Sequence, residues 1–206
     1  MQTIFPRSLS AGLAAAALVL GTAAPAQPPQ KAPPPFVTRG LPGAGQAAMK
    51  PLVGDWRVKM SLFAALGTPE KPVVSTDIRT HRAYVAGGRF LADETKGMFG
   101  GQPYYRRGTL GYSNMDQRYE WVTQDGLNSM MMIYQGAPKS GPHFPAVLYG
   151  GFTDQGLLGE ANVGKTIRQR TVITIIDNDH HRMEIYFTPP GGKERLIDRK
   201  EFTRIR

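Results

Sequence analysis

The chain contains no cysteine, which excludes a disulfide framework, a thiolate nucleophile, Cys-ligated zinc and a lipid-modified cysteine. Histidine is scarce: His81, His143, His180 and His181. His180 and His181 are adjacent, so on a strand they point to opposite faces and cannot readily grip one metal, although as turn residues beside Asp177 and Asp179 they could. His81 would ligate haem if its strand turned it inward, but a satisfied or exposed strand histidine is the plainer role. No metal or other cofactor is expected. Helical patterning is also missing, since no window of helical length keeps a 3.6-residue apolar stripe apart from a single turn around Phe63–Leu66. The chain lacks a block of Lys and Arg too. Its 25 cations outnumber 16 anions, but they are scattered singly among strand residues, a solvated basic surface and not a nucleic-acid stripe. Such an excess favours acidic partners through its long-range field, including peripheral contact with an anionic envelope surface.

What is present begins with an export signal. Arg7 supplies a positive start, Leu9–Leu20 an apolar run too short for a bilayer span of about 20 residues, and Ala24-Pro25-Ala26 a cleavage site. Cleavage is expected after Ala26, because a cut after Ala24 would place Pro25, with no amide hydrogen, at the scissile bond. Residues 1–26 contribute Arg7 and no acid, so their removal lowers the formal charge from +9 to +8. The expected destination is the periplasm or beyond. Residues 27–50 are rich in Pro, Gly, Ala and Gln and read as a disordered tether, leaving 51–206 as one folded domain.

That domain is written in strands. Leu52–Leu62 alternates Leu52, Gly54, Trp56, Val58, Met60 and Leu62 against Val53, Asp55, Arg57, Lys59 and Ser61, the pattern of a half-buried strand. Nine further runs follow: Val73–Val85, Arg89–Lys96, Tyr104–Tyr112, Arg118–Gln124, Met130–Gln135, Ala146–Phe152, Thr166–Ile176, Arg182–Phe187 and Arg195–Ile205. Ser113–Gln117, Asp177-Asn178-Asp179 and Pro189-Pro190-Gly191-Gly192 punctuate them as hairpin turns. Short connections make successive strands antiparallel neighbours. A sandwich and a closed meander both accommodate ten such strands, but closure alone removes exposed edges. The expected fold is therefore all-β: a single antiparallel up-and-down barrel of about ten strands, with an interior wide enough for a small ligand.

Several short motifs invite a chemical reading that their context refuses. Gly159–Thr166 matches G-x-x-x-x-G-K-[ST], yet Thr166 opens a β-branched strand where a phosphate loop needs a helix. Met130-Met131-Met132 offers thioethers suited to Cu(I) but has no fourth methionine near in sequence; flexible core filling is the expected role. Asp93 and Glu94 are sent to opposite faces by alternation, so they make no two-carboxylate hydrolase. Ser113 lacks the second glycine of a nucleophile elbow. No catalytic set emerges, and the chain is not expected to be an enzyme.

Leu52-Val53-Gly54-Asp55-Trp56, Gly87-Gly88-Arg89-Phe90-Leu91, Gly101-Gln102-Pro103, Arg107-Gly108-Thr109-Leu110-Gly111-Tyr112, Tyr119 with Trp121, and Glu201-Phe202-Thr203-Arg204 together resemble a bacterial family known only as domain of unknown function 1579. The resemblance runs from about Lys50 to the C-terminus and rests mainly on Arg-Gly-Thr-Leu-Gly-Tyr after Gly-Gln-Pro. It implies a compact barrel-like fold and carries over no catalytic residue. Gly54-x-Trp56 and Arg204 also resemble the lipocalin and fatty-acid-binding barrels. That likeness implies that Arg204, on the last strand, lies across Trp56 on the first and closes one end.

The lining residues follow from alternation less cleanly. Tyr104–Tyr112 carries a cation on each face, Arg106 with Leu110 and Tyr112, or Arg107 with Tyr105 and Thr109, so period two leaves the inward side open. Near mid-barrel the chosen lining is Tyr105, Arg107, Glu94, Trp121 and Met132, with Arg107 orienting an acidic head group and Trp121 and Met132 supplying apolar wall. The expected function is binding of a small apolar or amphipathic ligand in the lumen. A packed barrel acting as an envelope-associated interaction protein, and an undetected enzyme, are the alternatives.

Overall fold

Alternation carries the chain through ten strands: β1 (Gly54–Leu62), β2 (Val73–Val85), β3 (Phe90–Phe99), β4 (Gln102–Ser113), β5 (Arg118–Asp125), β6 (Met132–Gln135), β7 (Ala146–Thr153), β8 (Thr166–Ile175), β9 (His180–Thr188) and β10 (Arg195–Arg204). Each pairs antiparallel with its neighbours in sequence, and β1 pairs with β10, so the sheet closes into the expected up-and-down barrel. This computed structural model describes residues 32–206. The export signal expected over residues 1–26 and the first part of the expected tether lie outside the described residues.

The remainder of that tether is folded. Two short helices, α1 (Pro35–Arg39) and α2 (Ala44–Ala48), lead into a single 3₁₀ turn at Lys50–Leu52, and the folded unit begins at Pro34, not at residue 51. Proline sits at the start of α1, where its missing N–H is no loss. The Gln46 side chain accepts from the Gly43 amide at 2.8 Å and donates to the Tyr112 carbonyl on β4 at 3.0 Å. Asn114 donates to the Arg39 and Leu41 carbonyls at 3.0 and 2.9 Å, fastening the segment to the β4–β5 turn. Composition alone hid this, because the few residues that dock the segment are single side chains among prolines and glycines.

Met49 and Leu52 are fully enclosed and join Trp56, Val58, Ile78, Leu91 and Phe202 in the apolar cluster at this end. Pro51 supplies no amide to a sheet ladder, so Leu52 falls in the 3₁₀ turn and β1 starts two residues later than expected. The Trp56 indole N–H donates to the Leu52 carbonyl at 3.0 Å. Trp56 stands opposite Arg204 in register. The Arg204 guanidinium lies 4.1 Å from the Trp56 ring centroid and donates to the carbonyls of Val53 (2.6 Å), Pro51 (2.8 Å) and Asn178 (2.8 Å). Gly54, at φ 120°, makes room for it: a Cβ there would stand 2.6 Å from Arg204 Nη1.

At the opposite end the loop carrying G-x-x-x-x-G-K-[ST] is organised by Asp154. Its buried carboxylate accepts from the amides of Gly156, Leu157 and Leu158 at 3.0, 2.7 and 3.0 Å. Thr166 opens β8, so no helix follows the motif.

Candidate functional site

The lumen is not uniformly apolar. On β2, Ile78, Thr80 and Arg82 turn inward; on β3, Leu91, Asp93 and Thr95; on β4, Tyr104, Arg106, Gly108 and Leu110. Arg82, Asp93 and Arg106 are 6%, 9% and 7% exposed. Register places Arg82 opposite Asp93, and Asp93 opposite Gly108, so Arg106 is the diagonal neighbour of Asp93 two residues along β4. Gly108 is what lets this corner fill. A Cβ there would strike the Asp93 carboxylate and stand 2.7 Å from Trp121 Nε1.

Hydrogen bonding inside the cluster is incomplete. Arg82 Nη1 donates to His181 Nε2, and the guanidinium lies 4.6 Å from the Phe202 ring centroid. Burial pulls the Arg82 guanidinium below its ordinary range, while Asp93 acts the other way. His181 is stacked on Phe202 at 4.1 Å and edge-on to Trp56 at 4.3 Å. Burial foremost, then Arg82 and Arg204, hold its pKa far below the usual imidazole range, so the ring is neutral, with Nε2 accepting and the proton on Nδ1. Arg106 lies 4.9 Å from the Trp121 ring centroid and donates through Nη2 to Thr123 Oγ1 at 3.2 Å. No ion pair joins Arg82, Arg106 or Asp93 to an opposite charge among the described residues.

Farther round the wall, Lys200 pairs with Asp198. Arg106 Nε, Trp121 Nε1, His181 Nδ1 and Asp198 Oδ1 are buried without a partner. Of the buried carboxylates among the described residues, Asp154 serves the loop after β7, Glu184 pairs with Arg182 and Arg199, and Asp198 pairs with Lys200. Asp93 alone therefore accompanies Arg82 and Arg106, and the donors Arg106 Nε, Trp121 Nε1 and His181 Nδ1 are without partners. The space between Arg82, Asp93, Leu110, Trp121 and Met183 amounts to about 10 Å³, on the scale of one water molecule.

The residues chosen from sequence divide by face. Trp121 is buried inside the barrel, tilted against Tyr134 at 5.4 Å, and Met132 turns inward, its sulfur accepting from the Tyr134 hydroxyl at 2.8 Å. Tyr105, Arg107 and Glu94 stand on the outer face and do not line the lumen. Arg107 sits opposite Glu94 in register, and Glu94 is bound by Lys96, which keeps its carboxyl below the usual range. The inward arginine of β4 is Arg106, one residue from the choice made by alternation. Its parity with Leu110, which registers opposite both Leu91 and Trp121, was the available signal. Arg82, Asp93 and His181 are lumenal residues missing from the expected lining; the available signal was parity, since Arg82 shares its face with Ile78 and Asp93 with Leu91.

The enclosed space can hold one water, between the Arg82 guanidinium, the Asp93 carboxylate and the Trp121 indole. Among the described residues no three His, Asp or Glu side chains gather as a metal would require.

Comparison with solved structures finds a redesigned β-barrel, b11L5F_LGL, 12% identical, covering 77% of this chain and 96% of its own, with a TM-score of 0.37. It also finds EF1p2_mFAP2b bound to DFHBI, 12% identical, covering 78% and 98%, with a TM-score of 0.39. No curated protein matches the sequence. The family described as "Protein of unknown function (DUF1579)" matches residues 41–204, from the loop before α2 to the last residue of β10, and the chain belongs to that family.

Proposed function

We propose that this barrel is an exported, non-catalytic binding module whose lumen takes a small amphipathic acid. The observation that carries the reading is Arg106: a guanidinium buried between Trp121 and Thr123 with one hydrogen bond, a free Nε and no ion pair among the described residues. Asp93 and Asp125 favour its charge from a distance, but no carboxylate bonds it directly, and a ligand carboxylate would supply the missing acceptor through charge-assisted hydrogen bonds. Arg82 adds a second cation, while Trp121 and Met132 form adaptable apolar wall. The free space of about 10 Å³, which Met183 lines, requires flexible side chains such as Met183 to give way as the ligand enters.

That small volume also favours a second reading, a packed barrel that works through its outer surface as an envelope-associated interaction protein. Titration of the delipidated protein with fatty acids and smaller aromatic acids separates the two. Both tryptophans, Trp56 and Trp121, are buried in the barrel and report through fluorescence. Saturable binding weakened by about 1.5–3 kcal/mol in Arg106→Met fits the lumenal reading. Absent binding, or binding indifferent to Arg106, leaves the packed barrel.

A further inference from the structure

The end of the barrel that α1 and α2 cover displays apolar side chains that nothing among the described residues buries. Phe36 and Met115 are each 74% exposed, and with the half-exposed Phe90 they surround a cavity of about 400 Å³ that also meets Arg39 and Arg89. The segment presenting them is not slack. Asn114 holds the Arg39 and Leu41 carbonyls, and Arg89 Nε donates to the Gly40 carbonyl at 2.9 Å while Nη1 donates to Ala86 at 3.2 Å. Phe36 is therefore held outward, and Leu41, two residues past α1, is also exposed. An anchored apolar cluster of this kind marks an interaction surface.

The charge around it selects the partner. Arg39 and Arg89 flank the cluster, and Lys50 and Lys139 are exposed at the same end, Lys139 through its backbone bond to the β4–β5 turn. The acid nearest Met115, Asp116, is engaged by Arg118 at 3.9 Å and by the Ser113 hydroxyl at 2.9 Å. Asp177 and Asp179 of the β8–β9 turn are taken up by His180 and by Arg204 and Arg206. We infer that this end docks on an anionic lipid surface, with Phe36 and Met115 entering the headgroup boundary and the cations lying over lipid phosphates. Apolar insertion plus attraction to anionic lipid is the combination that holds peripheral proteins on membranes.

The test is co-sedimentation of the full exported chain with vesicles of equal parts phosphatidylglycerol and phosphatidylcholine, and with pure phosphatidylcholine. Phe36→Ser with Met115→Ser should weaken partitioning to the anionic vesicles about tenfold or more. Arg39→Gln should weaken it roughly fivefold, and raising the salt should weaken it further. Both variants alter exposed side chains, and circular dichroism checks that they keep the wild-type fold. Equal binding to both vesicle types, no binding by the wild type, or variants that bind as the wild type does would overturn the inference. So would a lipid-free dimer in sedimentation velocity that Phe36→Ser dissociates, which would give the surface to a second copy of the chain.

Discussion

Replacing Arg204 with alanine should unlock the barrel at the seam between its first and last strands. The guanidinium contacts four groups: the Trp56 ring on β1 at 4.1 Å, the carbonyls of Val53 and Pro51 before β1 at 2.6 and 2.8 Å, and the Asn178 carbonyl in the β8–β9 turn at 2.8 Å. A cation–π contact of this kind is worth about 0.5–2 kcal/mol, and a hydrogen bond to a charged donor about 1.5–3 kcal/mol. The sum overstates the loss, because the Arg204 side chain is 23% exposed and water reaches part of what it leaves. Its ion pair with Asp179 at 3.4 Å is exposed enough to be set near zero. A net loss of about 2–4 kcal/mol remains, measured as a lower urea midpoint at unchanged slope, with Trp56 fluorescence as one probe and far-UV circular dichroism as the other. In a chain of this size that is roughly a 4–16 °C fall in Tm. Arg204→Lys keeps the charge but cannot reach three carbonyls in one plane, so it should recover only a minor share. A loss below about 1 kcal/mol, or full recovery with lysine, would refute the argument that the guanidinium clamps the seam.

Two further outcomes follow from buried groups. Asp154→Ala should cost about 2–4 kcal/mol in urea unfolding, since the amides of Gly156, Leu157 and Leu158 lose their shared acceptor; a loss confined to a few tenths would show that water replaces the carboxylate. His181 has a folded pKa depressed far below the unfolded value of about 6.5, so the unfolded chain binds the proton first on acidification. Its contribution is complete above pH 6.5 and falls as pH drops through that value, by about 2 kcal/mol between pH 6.5 and 5. The His181→Gln variant should lack that part of the slope, and an identical slope in both proteins would show that the ring is protonated in the fold.

The ten strands were legible because their turns are punctuated by Asn, Asp, Gly and Pro and their apolar residues recur at period two. Val73–Val85 needed no adjustment, and each of the other strands moved at one end or both by one to three residues. The pattern starts this strand at Arg182, whereas β9 begins at His180 and His181 opens the inward row that continues through Met183, Ile185 and Phe187. The candidate site was harder to read for the same physical reason. Alternation assigns a strand face by hydrophobicity, and a barrel that buries Arg82, Asp93 and Arg106 breaks that rule at three adjacent strands. The decision on β4 could not come from β4 alone, where Arg106 and Arg107 are chemically identical. It came from neighbours: Leu91 and Trp121 both register opposite Leu110, and only the parity of Leu110 puts all three in one interior row. Gly108 shares that parity, and in the fold it is the residue whose missing side chain lets the Asp93 carboxylate and the Trp121 indole come together. The Arg-Gly-Thr-Leu-Gly-Tyr run on which the family resemblance mainly rests therefore contains the glycine that makes space for the buried charges, and it adjoins the arginine that supplies one of them.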